Sequence, residues 1–78
     1  MNKVEQRFLK DLANELEVDA RTMDDSFSLM GDSWDSVTVL STVALIDDHF
    51  DVSVEGSELE DCENVGQVLS LIRQALNS

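Results

Sequence analysis

The chain reads as all-α, a right-handed antiparallel four-helix bundle with three long helices and one short. Three observations point there. Apolar residues recur at three- and four-residue spacing in three separate stretches, and proline is absent. A length of 78 residues suits one domain with a thin core, so residues 1–78 are taken as a single unit.

The first helix is expected over Lys3–Leu16. Asn2 with Glu5 three positions on forms a capping-box pattern, and Val4, Phe8, Leu9, Leu12 and Leu16 then recur at helical spacing. Lys3, Arg7, Lys10, Asp11 and Glu15 make its solvated face. The segment from Glu17 to Asp35 is long for a connection inside a small domain. Val18, Met23, Phe27, Leu29 and Met30 can pin it to the core, and Gly31 can supply a turn.

A second helix follows over Ser36–Phe50, roughly 22 Å long at the standard rise. Its β-branched content would suit a strand, but Val39, Val43, Ile46 and Phe50 keep the helical period, with Leu40 completing the apolar stripe. Period decides. A turn over Asp51–Gly56 leads to a short third helix near Ser57–Asp61. Asn64 then caps a fourth helix from Val65 to Leu76, with Val65, Val68, Leu69, Ile72 and Leu76 inward.

Charge is strongly lopsided. Residues 1–21 hold four basic and five acidic side chains, whereas residues 22–78 hold one basic, Arg73, against twelve acidic. Such a surface repels nucleic acid and anionic membrane and attracts basic partners. No apolar run exceeds four residues, which excludes a membrane span and a signal-peptide core. The one cysteine, Cys62, cannot form an internal disulfide, which fits a reducing, cytoplasmic setting.

The polar stretch from Met23 to Asp32 gives way to the second helix at Ser33-Trp34-Asp35-Ser36-Val37. A serine at such a junction lies among backbone N–H groups that lack intrahelical partners, at the positive end of the helix dipole. That position suits a covalently attached phosphate, so Ser36 reads as an attachment point rather than as a nucleophile with a triad. Asp35 is the natural N-cap.

Asp35-Ser36-Val37, the helical pattern to Phe50-Asp51, and Val52-x-Val54 resemble the acyl carrier proteins, discrete type II members in particular. The likeness runs without a gap from Asp35 through Ile72, taking in Glu58, Leu59 and Val65. Before that it is one of pattern and length. In that family an Asp-Ser-Leu motif, with Leu replaceable by other aliphatics, opens the second helix, and its serine carries 4′-phosphopantetheine derived from coenzyme A. Asp32-Ser33-Trp34 imitates the same motif. The family sets a Phe fourteen residues after the modified serine, a spacing that Ser36 has to Phe50 and Ser33 does not.

The resemblance further implies a non-enzymatic carrier of acyl intermediates, held as thioesters, for fatty acid, polyketide or related biosynthesis. Its partners would be a phosphopantetheinyl transferase, a ketosynthase and other acyl-processing enzymes with basic docking patches, met by a monomer. Partner recognition would fall to Trp34, Asp35, Val37, Thr38, Ser41, Asp47 and Asp48. Thr38 and Ser41 stand where general-pathway carriers often have acids, which suggests a dedicated pathway. The acyl chain would retreat between helices two, three and four, lined by Leu40, Val43, Ile46, Leu59, Cys62, Val68 and Leu69.

Other classes meet the residues less well. A calcium-binding loop starting at Asp47 puts His49 in a hard-cation site and Val52 where a glycine turn belongs; one starting at Asp51 puts Cys62 where the bidentate glutamate belongs. A cofactor-free acidic adaptor would make Ser36 an ordinary helix cap. His49, the only histidine, lies among Asp47, Asp48 and Asp51 and reads as a solvated helix end rather than a general base or metal ligand.

Overall fold

In the computed structural model, which describes residues 2–29, 31 and 34–77, the order is α1 (Lys3–Leu16), a single 3₁₀ turn (Ala20–Thr22), α2 (Ser36–Phe50), α3 (Gly56–Glu60) and α4 (Val65–Asn77). The three long helices begin where expected, and α3 starts one residue early. Among the described residues no helix is long and apolar enough to cross a membrane.

The capping box of α1 is closed at both ends. The Glu5 amide donates to Asn2 Oδ1 at 2.8 Å, and the Asn2 amide donates to Glu5 Oε1 at 3.3 Å. The helix ends at Glu17 in the left-handed conformation, φ 58°, and the Val18 amide reaches back to the Ala13 carbonyl at 3.0 Å. At the end of α2, Asp51 adopts the same conformation, φ 57°.

One apolar cluster fills the interior. Phe8, Leu9, Leu12, Ala13 and Leu16 come from α1, Val39 and Ile46 from α2, Leu59 from α3, and Val65, Val68, Leu69 and Ile72 from α4. Four expected core positions are instead in solvent: Val4 (39% exposed), Val18 (36%), Leu40 (68%) and Leu76 (50%). The reasons are local. In the first turn of α1 the inward slot belongs to Glu5, and on α2 the inward stripe is Val39, Thr42 and Ile46. Leu40 sits one residue, about 100°, around from Val39 and so faces out. Val18 lies beyond the end of α1, and Leu76 belongs to the last turn of α4.

Thr42 was not foreseen as a core residue. It is fully buried, and its hydroxyl donates to the Thr38 carbonyl at 2.8 Å, which satisfies the hydroxyl without any other helix.

The long connection is fastened rather than loose. Met23 and Leu29 are buried and Phe27 is half-buried against the cluster; Met30 lies outside the described residues. Gly31, at φ 87°, supplies the expected turn. The segment's backbone also closes the start of α4. The Val65 amide donates to the Phe27 carbonyl at 3.0 Å, the Gly66 amide to the Asp25 carbonyl at 2.9 Å, and the Leu29 amide to the Glu63 carbonyl at 2.9 Å. Asn64 Oδ1 accepts from the Gln67 amide at 2.9 Å, as an N-cap should. A Cβ on Gly66 would lie 3.1 Å from the Asp25 carbonyl oxygen, so a larger residue there would push that carbonyl back by a few tenths of an ångström.

Glu5 has a second task. Its side chain is only 5% exposed, and it accepts from Arg73 of α4, from Nε at 3.0 Å and from Nη2 at 3.3 Å. The Arg73 hydrogen bonds hold the Glu5 carboxyl below its usual range; burial opposes the shift, and the Asn2 amide adds to it. A depressed carboxyl contributes stability that is complete above its unfolded value, about 4.3, and is lost as pH falls through the folded value. Glu5→Gln preserves the capping oxygen but removes the charge. It should therefore lower Tm by roughly 5 °C at neutral pH, and the deficit should shrink as pH falls below about 4.3. Thermal melts of both proteins across that range check it; a deficit independent of pH would assign Glu5 a purely steric role.

Candidate functional site

The start of α2 gathers the polar and exposed groups that the sequence singled out. Asp35 is the N-cap in extended conformation, and its Oδ1 accepts from the Thr38 amide at 2.9 Å. That backbone hydrogen bond is the chief reason its carboxyl lies below the usual range. The Asp35 carbonyl accepts from Val39 at 2.9 Å, so Ser36 is the first residue inside the helix. Ser36 is exposed, and Val37 (70%) and Leu40 (68%) flank it as exposed apolar side chains.

Trp34 fixes the approach to Ser36. Its indole is half-buried against the core, and Nε1–H donates to the Leu59 carbonyl of α3 at 3.1 Å. The chain just before Ser36 is thereby tied to the last turn of a different helix. Asp32 and Ser33, the competing motif, lie outside the described residues.

The remaining partner-recognition candidates spread along α2. Thr38 and Ser41 are half-buried in its first half, while Asp47 and Asp48 are exposed near its other end. Asp47 is eleven residues from Ser36, which places it on the same helix face, within about 20°, and roughly 16 Å along the axis. The recognition set is therefore a cluster around Ser36 and a distant acidic pair.

Of the proposed acyl-lining residues, Ile46, Leu59, Cys62, Val68 and Leu69 are buried in one cluster and Val43 packs against it. Leu40 does not join them. It lies on the outside, beside Ser36, so its assignment to the lining is corrected.

His49 also needs correction. It is no solvated helix end: its side chain is 16% exposed, and Nε2 lies 2.8 Å from Asp11 Oδ2 of α1. Its ring stands edge-on to Phe8 at 6.1 Å, and Phe50 makes a similar contact to Phe8 at 5.5 Å. A partner 38 residues away across the helix pair gave no local signal. Among the described residues no group of three or more His, Cys, Asp or Glu side chains is placed to hold a metal ion.

A protein-family model described as "Phosphopantetheine attachment site" matches residues 6–72. No curated protein matches the chain.

Cys62 is the one thiol of the chain itself. It is buried, borders a groove of about 360 Å³ that Glu58, Asp61, Gln67, Ser70 and Leu71 also line, and its Sγ donates to the Glu58 carbonyl at 3.5 Å. Burial pushes its pKa up, and the carboxylates of Asp61 and Glu58 push the same way. Little thiolate is then present at neutral pH. Iodoacetamide should alkylate Cys62 in the folded protein many-fold more slowly than in the same protein in guanidinium, as followed by intact mass. Equal rates in the two conditions would mean that the thiol is accessible and unshifted.

Proposed function

Since the chain belongs to the phosphopantetheine attachment-site family, a non-catalytic carrier with a 4′-phosphopantetheine prosthetic group, we propose that Ser36 is the residue that bears this group. The observation that carries the reading is the position of Ser36: exposed, first in α2, directly after an N-capping aspartate. The spacing of fourteen residues to Phe50 spans the whole of α2, and it is the spacing that the resemblance to acyl carrier proteins requires. Membership of this family takes the place of the calcium-binding and cofactor-free readings.

The residues present suit the group. A phosphodiester on Ser36 Oγ would meet the first-turn amides and the positive end of the α2 dipole. Asp35 already occupies the Thr38 amide and also draws on the Val37 amide, so a phosphate there would rest chiefly on the helix dipole. When bound, the group supplies a flexible arm whose thiol holds an acyl unit as a thioester. Tethering replaces a dilute intermediate with one at high local concentration.

Carriers of this family meet phosphopantetheinyl transferases and acyl-processing enzymes. In this chain, residues 1–78 would act as one acyl carrier domain, a cytoplasmic monomer presenting α2 to basic docking patches on a ketosynthase and similar enzymes. Asp35, Asp47 and Asp48 would supply the charge, while Trp34, Val37, Thr38 and Ser41 would shape the contact. Thr38 and Ser41 leave Asp35 alone among the early positions. Each absent exposed contact weakens a housekeeping docking by roughly 0.2–1 kcal/mol, which favours a dedicated fatty acid or polyketide pathway. The acyl chain would part the helices at Val43, Ile46, Leu59, Cys62, Val68 and Leu69.

The test is intact mass after incubation with coenzyme A and a broad-specificity phosphopantetheinyl transferase. Ser36→Ala should abolish loading completely, and Ser33→Ala should leave it intact. The reverse pattern would move the attachment three residues toward the N-terminus, ahead of α2.

A further inference from the structure

We propose that the outer face of α1 is a second docking surface, one that takes a carboxylate-bearing helix of a partner protein. It is separate from the α2 face and does not depend on which serine bears the arm. The charge count is the starting point. The chain has five cationic side chains against seventeen acidic ones. Two of the five are engaged: Arg21 pairs with Asp19 at 2.7 Å, and Arg73 pairs with Glu5. The other three, Lys3, Arg7 and Lys10, are all exposed and none is in an ion pair among the described residues.

These three do not lie at random. Spacings of four and three residues put them within about 60° on one face of α1, on the side away from Leu12 and Leu16. Together with Gln6 they line a hollow of about 410 Å³. In so acidic a protein the nearest carboxylates would be expected to fold over them. Instead, none does. Asp11, four residues from Arg7 and the one acid of α1 spaced three or four residues from any of the three, turns to His49 of α2; Glu5, two residues from Lys3 and from Arg7, lies on another face and pairs with Arg73 of α4. The basic stripe is left open because the one acid of α1 that could reach it is held by α2.

The dimensions favour a helix over a small anion. Lys3 to Lys10 spans about 10 Å along the axis, more than one phosphate bridges, and matches carboxylates at positions i, i+4 and i+7 of a facing helix. A lipid surface fits less well, since an extended anionic plane would also face the acids around the stripe, whereas a single helix covers the stripe alone. A partner that docks by α1 could remain bound while a basic enzyme works at α2, because the two sites select opposite charge.

The experiment uses the ¹⁵N-labelled holo protein at low salt. The probe is a synthetic alanine-rich helical peptide with glutamates at i, i+4 and i+7. Expected are amide shifts confined to residues 3–14, weakened by added salt as screening shortens to about 10 Å at 0.1 M. Lys3→Gln/Arg7→Gln/Lys10→Gln should weaken binding by about three- to a hundredfold, three exposed contacts' worth, with an unchanged melting temperature and unchanged phosphopantetheine loading. No shifts at low salt, or equal shifts in the triple variant, would overturn the proposal. So would binding to phosphatidylglycerol vesicles in place of the peptide, or salt-sensitive self-association in sedimentation that the triple substitution removes.

Discussion

The hydrogen bond from the Trp34 indole to the Leu59 carbonyl is the contact on which the site's geometry rests. Ser36 begins α2 at the end of a nineteen-residue connection, and a segment of that length would not by its own preferences present one residue in one place. Trp34 solves this two residues before the serine. Its ring packs on the core and its N–H is held by α3, so the backbone enters α2 from a fixed direction. The Asp35 cap then fixes where the helix starts.

The same logic extends through the rest of the connection. Carbonyls at Asp25 and Phe27 satisfy the first amides of α4, and Leu29 returns a bond to Glu63. The start of α4 is thus consumed by the fold, while that of α2 keeps an exposed serine. Two helix N-termini in one small domain have opposite fates, and the difference lies in what the connection places against them. Long-range side-chain pairs are used with similar economy: Glu5–Arg73 joins α1 to α4 and Asp11–His49 joins α1 to α2, so each bridges elements distant in sequence.

Much of this was legible in the sequence. The bounds of α1 and α2, the capping box at Asn2, the caps at Asp35 and Asn64 and the turn at Gly31 all rest on local rules, and all recur in the structure. What failed was orientation near edges. Val4, Leu40 and Leu76 satisfy an apolar period, but a period of three to four residues fixes a stripe only to within one residue. Glu5 and Thr42 took inward slots because each found a hydrogen bond there, from Arg73 and to Thr38 respectively. His49 was misread for a related reason: its partner Asp11 is near in space and far in sequence. The position of Ser36 was readable because a helix cap is a local device.

The most direct measurement is amide hydrogen exchange on Trp34→Phe, which retains an aromatic ring but removes the indole N–H together with part of the packing surface, combined with the rate of phosphopantetheine loading. With Trp34 holding the entry to α2, exchange at Thr38 and Val39 should quicken about fivefold, the worth of one hydrogen bond near 1 kcal/mol, and loading should slow. Exchange at Val68, Leu69 and Ile72 should stay as it was. Unchanged exchange at Thr38 and Val39 with an unchanged loading rate would show that α2 presents Ser36 without help from the connection, and would contradict the role given to Trp34.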